Sequence, residues 1–232
     1  MNMENGINLF DKISNNNHEQ LHYCSNNELG LKAIIGIHDT TLGPAIGGAR
    51  MWNYVSEEAA LKDVLRLSRA MTLKSSLAGL NAGGGKAVII GDIKLKNENF
   101  IKKYAFFVNR INGIYWTAQD VNISAQDMIW MKEITPYVVG MPIKQGGLGD
   151  SSAPTAYGIY LGMKAAAKFV YGSDSLEGKK IAIQGVGKVG KKLVDFLIKE
   201  KAYIYISDIN NSILKSLSKT KKLKIFKNDD LF

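Results

Sequence analysis

The most constraining stretch of this 232-residue chain runs from Lys180 to Asp208. It reads Lys180-Ile-Ala-Ile-Gln184, then Gly185-Val186-Gly187-Lys188-Val189-Gly190, an amphipathic run to about Glu200, Tyr203 to Ser207, and Asp208. A strand, a G-x-G-x-x-G turn, a helix, a second strand and an acid, in that order, make the dinucleotide fingerprint. Gly185 makes the tight turn, Gly187 lets the backbone approach a pyrophosphate, and Gly190 lets the helix pack on the strand. The helix N-terminus adds N–H groups and dipole for the phosphates. Asp208 suits a ribose hydroxyl and repels a 2′-phosphate, so NAD is favoured over NADP. The glycine spacing by itself also occurs in βαβ units that bind nothing; the full context favours the nucleotide. A helix over Asn211–Ser218 and a strand over Leu223–Phe226 follow. That gives about three of the roughly six strands of a complete dinucleotide fold.

A second glycine stretch lies upstream, Gly79 to Asp92, reading GLNAGGGKAVIIGD. Three consecutive glycines predict a turn that takes φ > 0 easily and approaches a ligand closely. It would deliver Lys86 to the entrance of a buried strand, Ala87 to Ile90. An amine against an apolar wall loses its proton more readily than one in water, so it can act as a general base near neutral pH. A plain glycine turn with a solvated lysine accounts for these residues equally well. A phosphate loop does not, because Leu80 stands where its first glycine belongs and Ala87 follows Lys86.

Around these stretches the periodicity predicts strands over His18–Cys24 and Leu31–His38, and a loop over Asp39–Arg50 punctuated by Gly43-Pro44 and Gly47-Gly48. Ser56 caps a helix whose stripe is Leu61, Val64, Leu65, Ser68 and Met71. Lys74 stands at its far end, where the two lysines could converge on one cleft. Phe100, Tyr104, Phe107, Val108 and Ile111 mark another amphipathic helix. Ile114–Ala118 reads as a strand with Asp120 just beyond it, a good place for a functional carboxylate, though a turn former is the commoner use. Ser124 and Asp127 open a helix over Met128–Ile134. Pro136–Asp150, rich in glycine, reads as a hinge, which divides the chain into residues 1–140 and 141–232. A long helix, Thr155–Tyr171, starts the second part. The expected class is α/β: an N-terminal mixed-sheet catalytic domain, then a partial Rossmann domain.

Composition excludes several classes. Hydrophobic residues make up 46% and charged residues 22%, an ordinary globular balance. The single cysteine, Cys24, forbids an internal disulfide framework and fits a reducing compartment. No apolar run suits a signal peptide or a membrane helix, so a cytoplasmic protein is expected, with no membrane partner. The net charge of +9 owes much to Lys215, Lys219, Lys221, Lys222, Lys224 and Lys227. Without arginine runs or interleaved aromatics this reads as a solvated surface rather than a nucleic-acid site. His18, His22 and Cys24 lack metal-site spacing, and His38 reads as a hydrogen-bonded structural histidine.

From Leu31 onward the chain resembles the glutamate/leucine/phenylalanine/valine amino-acid dehydrogenases, the leucine branch most of all. The residues that carry this are LKAIIGIHDTTLGPAIGGARMW, SEEAALKDVLRLSRAMTLKSSLAGLNAGGGKAVIIGD, TAQDV, TAYGIYLGMKAAAK and SLEGKKIAIQGVGKVGKKL. One departure is Ile93, where the family usually has Pro or Leu. The resemblance implies oxidative deamination of an L-amino acid by NAD+ to a 2-oxo acid and ammonium, in a homo-oligomer. It implies that Lys86 activates water, that Asp120 handles protons at the amino group, that Lys74 binds the substrate carboxylate, that Gly47 and Gly48 line the site, and that Thr155 lies near the nicotinamide. Glutamate-type members carry a lysine where this chain has Ile46, so an apolar substrate is implied, and Ala118 resembles the aliphatic branch. The family also runs well over a hundred residues beyond Phe232. The alternative expectation is therefore a truncated, inactive remnant or a non-catalytic subunit.

Overall fold

The computed structural model describes residues 8–220 and 223–226. Lys221, Lys222 and Lys227 of the basic tail lie outside them. The chain divides into two compact units, Met1–Gly149 and Asp150–Phe232. The division falls inside the glycine-rich segment 136–150, nine residues past the boundary expected at 140/141.

In the first unit, helix α1 (Leu9–Asn15) precedes strands β1 (Gln20–Asn26), β2 (Leu31–Asp39) and β3 (Ala45–Trp52). Helix α2 (Glu57–Leu77), strand β4 (Gly83–Ile90), helix α3 (Glu98–Arg110), strand β5 (Tyr115–Gln119) and helix α4 (Ala125–Lys132) follow. The five strands form one mixed sheet in the order β1-β2-β4-β3-β5. β1, β2 and β4 pair antiparallel, whereas β3 runs parallel to both β4 and β5.

Side chains alternate between the two faces of each strand. One face carries Ile35, Ile37, Ala45, Ala49, Met51, Ala87, Ile89 and Tyr115, packed against Phe100, Tyr104 and Val108 of α3 and Met128 and Met131 of α4. Burying an aromatic such as Phe100, which is 0% exposed, contributes about 1.5–3 kcal/mol. On the other face Ile34 and Val88 pack beneath Ala60, Leu61, Val64 and Leu65 of α2. Ser56 caps α2 by accepting from the Ala59 N–H, and Glu57 and Glu58 face its positive end. α2 covers β2 and β4. On that face of β3 and β5, Ile46, Trp116 and Ala118 are half-buried.

Two expectations fail here. Asp39–Arg50 is not a loop throughout, because Ala45–Trp52 is the strand between β4 and β5. Gly83, Gly84 and Gly85 do not form a turn either. They open β4, at the centre of the sheet, and none has a positive φ. Each is there for lack of volume: a Cβ would lie 2.0 Å from the Asp39 carbonyl oxygen at Gly83, 2.1 Å from the Thr72 nitrogen at Gly84, and 2.7 Å from the Tyr115 ring at Gly85. The glycines let β4 sit tight against α2 on one side and Tyr115 on the other.

The second unit comprises α5 (Ser152–Tyr171), β6 (Lys180–Gln184), α6 (Lys188–Lys199), β7 (Tyr203–Ser207), α7 (Asn211–Thr220) and β8 (Lys224–Ile225). Its three strands are parallel, in the order β6-β7-β8, as in the opening strands of a Rossmann domain. Tyr160 of α5 stacks on Phe196 of α6 at 5.2 Å between ring centroids. Val194, Leu197 and Ile206 form the buried centre. No described helix is long and apolar enough to cross a membrane.

Candidate active site

Lys86 is the fourth residue of β4, on the face that α2 covers, and its side chain is only 8% exposed. Gly36 is its cross-strand partner on β2. On the other side lies β3, where Gly48 pairs with Ala118 of β5. The Lys86 Nζ crosses that gap to reach Asp120 Oδ2 at 2.7 Å. The crossing requires glycine at 48: a Cβ there would stand 2.9 Å from the Asp120 Cβ and 2.5 Å from the Gln119 carbonyl oxygen. Gly47 faces the opposite way. Its carbonyl accepts from the Tyr115 hydroxyl at 2.5 Å, and a Cβ would lie 1.7 Å from the Gly85 oxygen.

Asp120 Oδ2 also accepts from Arg50 Nε at 3.1 Å. Arg50 in turn reaches Asp63 Oδ2 of α2 through Nη1 at 3.0 Å, and the Tyr54 hydroxyl donates to the same oxygen at 2.7 Å. Four charges therefore run in alternating order: Lys86, Asp120, Arg50, Asp63. Burial lowers the Lys86 pKa, Asp120 pulls it back up, and Arg50 adds to the lowering; the net direction is down. For Asp120, burial raises the pKa, but Lys86 and then Arg50 outweigh it and hold the carboxyl below its ordinary range. The two directions are compatible. A carboxylate with two cations keeps its charge, and the drier cation is the easier one to neutralise. Such an amine can take a proton from a water or a substrate group.

The structure brings together Lys86, Asp120, Gly48, Ile46 and Ala118 on one sheet face. Lys74 is in the last turn of α2 with its side chain exposed, and no ion pair or hydrogen bond joins it to Lys86 or Asp120. Arg50, Asp63 and Tyr54 are the residues sequence reasoning missed. With Ala45–Trp52 taken as a strand, Ile46, Gly48 and Arg50 alternate onto one face, a signal hidden when the segment is read as a loop. Cys24 is no rival nucleophile, because burial pushes its thiol up to about 11. His38 donates or accepts at Nδ1 with the Thr72 hydroxyl at 2.8 Å, a structural contact.

In the second unit, Gly185 has φ +89°, as its turn demands. At Gly190 a Cβ would lie 2.2 Å from the Gly185 oxygen, so only glycine lets α6 pack there. Among the described residues nothing stands within 4 Å of a Cβ at Gly187, whose backbone faces open space. No described side chain caps α6, which leaves its first-turn N–H groups for an incoming anion. Asp208 Oδ2 accepts from the Val186 N–H and Oδ1 from the Asn210 N–H, both at 2.8 Å. Those two bonds hold its carboxyl below the ordinary range. Val186 and Val189 turn their side chains into the core, so what they present outward is backbone. Lys188 is exposed, 3.7 Å from Asp150, and Thr155 is exposed in the first turns of α5.

Residues 18–137 match the family description "Glu/Leu/Phe/Val dehydrogenase, dimerisation domain", and residues 146–227 match "Glutamate/Leucine/Phenylalanine/Valine dehydrogenase". The chain belongs to the Glu/Leu/Phe/Val dehydrogenase family. Within that family it is 52% identical over 203 residues to a leucine dehydrogenase of Bacillus subtilis (strain 168), covering 87% of this chain and 56% of the relative. It is 44% identical over 230 residues to a phenylalanine dehydrogenase of Lysinibacillus sphaericus, covering 97% and 60%. Among solved structures, the L-tryptophan dehydrogenase of Nostoc punctiforme superposes with a TM-score of 0.72 at 39% identity, covering 97% of this chain and 63% of that one. The chain thus spans little more than half the length of the family members it matches.

Proposed function

We propose that this chain carries the substrate-binding part and the first half of the cofactor domain of an NAD-dependent dehydrogenase that deaminates apolar L-amino acids, leucine above all. The observation that carries the reading is the buried Lys86 ammonium 2.7 Å from Asp120 on a half-open sheet face. When bound, NAD+ supplies the acceptor for the hydride that leaves the substrate Cα. Gly185, Gly187 and Gly190, with the backbone of Val186, Lys188 and Val189, would hold its pyrophosphate, Asp208 its ribose, and Thr155 would lie toward the nicotinamide.

The chain's own residues manage the protons. Asp120, kept as a carboxylate, takes a proton from the substrate ammonium so that the nitrogen lone pair can assist hydride departure. Neutral Lys86 then takes a proton from the water that attacks the resulting imine carbon. Asp120 then returns its proton to the nitrogen, and collapse of the adduct, with its hydroxyl proton passing to the departing nitrogen, releases ammonium and the 2-oxo acid while Lys86 keeps the water proton. Lys74, exposed and close to the start of β4 in sequence, would receive the substrate carboxylate and orient Cα. Ile46 and Ala118 border the side chain. An apolar wall cannot repay the burial of a second carboxylate, which disfavours glutamate. The small Ala118 suits an aliphatic group, and the leucine dehydrogenase similarity at 52% agrees.

The family description names a dimerisation domain over residues 18–137, which supports a homo-oligomer. The lone, buried Cys24 supports a reducing, cytoplasmic setting. A substrate panel tests the assignment: kcat/KM highest for L-leucine, lower for L-valine and L-isoleucine, and lowest for L-phenylalanine and L-tryptophan. An aromatic amino acid at the head of that series would overturn the substrate reading.

A further inference from the structure

Arg50 touches none of the groups given a proton-transfer role except Asp120, yet it sits at the centre of the charge chain. We propose that Arg50 is a positioning residue that frees Lys86 to act as a base, by serving as the second, permanent cation of Asp120. Without Arg50, Asp120 would have Lys86 as its only ion partner among the described residues, and loss of the Lys86 proton would leave a half-buried carboxylate unpaired. That penalty would hold the proton on Lys86. With Arg50 present, Lys86 can discharge and Asp120 stays paired.

The geometry supports this division of labour. Both cations meet the same oxygen, Oδ2, at 2.7 Å from Lys86 and 3.1 Å from Arg50. Arg50 is fixed from behind by Asp63, itself held by the Tyr54 hydroxyl. Guanidinium does not titrate in this range, so the arginine stays charged when the lysine changes state. The charged groups facing Lys86 are Asp120 after β5, Arg50 on β3 and Asp63 on α2; β2 opposes it with Gly36. Arg50 and Asp63 also line an open pocket of about 560 Å³ with Trp52, Tyr54 and Val121, so the arginine is reached from outside without passing Lys86.

This inference rests on Lys86 being the base, and its test is chosen to stand apart from turnover. The protein is labelled with ¹³C at lysine Cε, the Lys86 signal is assigned by its loss in Lys86→Arg, and its titration is followed by NMR. In the wild type the Lys86 midpoint lies below those of the surface lysines. In Arg50→Gln it rises by about one pH unit, a tenfold smaller neutral fraction at a given pH. In Arg50→Lys, which keeps the charge, it stays near the wild-type position. Arg50→Met serves as the second neutral variant. An unchanged midpoint in a folded neutral variant overturns the proposal. So does unfolding of both neutral variants, which would make Arg50 a residue of the fold. Failure of the deamination reading would show instead as absent turnover with the Lys86 titration as described.

Discussion

Gly48 and Asp120 are locked together: a single methyl at residue 48 would lie 2.9 Å from the Asp120 Cβ. The carboxylate reaches Lys86 only because β3 has no side chain at that point. A site of this kind is built by subtraction. Gly48 clears the way for the ion pair, and Gly83 to Gly85 bring the strand that carries Lys86 close to α2 and Tyr115.

Gly48→Ala therefore damages the site before it damages the fold. The added methyl must push back the Gln119 carbonyl and Asp120, an overpacking cost of about 1–3 kcal/mol. The expected result is a folded protein with a lower urea midpoint and kcat reduced a hundredfold or more. Turnover at the wild-type level would show that Asp120 need not hold this position.

The second and third glycines of the fingerprint separate in the opposite way. Gly190→Ala places a Cβ 2.2 Å from the Gly185 oxygen and destabilises the second unit by about 1–3 kcal/mol. Gly187→Ala meets no described residue within 4 Å, so stability changes by less than about 0.5 kcal/mol. It narrows the approach to the helix N-terminus and weakens NAD binding at least tenfold by titration calorimetry. Equal NAD affinity in Gly187→Ala would mean that the pyrophosphate does not lie there.

His18 makes stability fall in acid. Its Nε2 meets the Leu65 carbonyl at 3.1 Å and the Ser68 hydroxyl at 2.8 Å. A carbonyl can only accept, so Nε2 carries the hydrogen and Nδ1 is left bare, with no hydrogen bond among the described residues. Burial, and then the His38 ring 4.8 Å away, lower its pKa to about 4. The unfolded chain takes up this proton near pH 6.5 and the folded one only near 4. The contribution is whole above 6.5, declines between 6.5 and 4, and is lost below, about 1–2 kcal/mol after allowing for partial solvation. Urea midpoints at pH 7.5 and 4.5 check it: the drop between them shrinks in His18→Gln. An equal drop in both proteins would exclude His18 as its source.

How much of this was legible in the residues follows from what each glycine does. Gly185 takes a positive φ in a turn, which strand–turn–helix punctuation reveals. Gly47, Gly48 and Gly83 to Gly85 sit in strands, where the need for them comes from backbones and rings on other strands and, at Gly84, from α2. Composition cannot tell a glycine chosen for φ from one chosen for its missing volume. That is why β3 reads as a loop and the triple glycine as a turn. Once β3 is lost, Arg50 cannot be assigned a face, and its partner Asp63 looks like any polar residue on α2. Lys86 and Asp120 remained visible because each stands where an apolar strand meets a charge.

The most direct measurement is NADH absorbance at 340 nm with L-leucine and NAD+, in the wild type and in Lys86→Ala. The account predicts leucine-dependent NADH formation by the protein, rising with pH as Lys86 loses its proton, and a loss of at least a thousandfold in the variant. No turnover in the wild type would identify a non-catalytic chain, and normal turnover in Lys86→Ala would contradict the central claim outright.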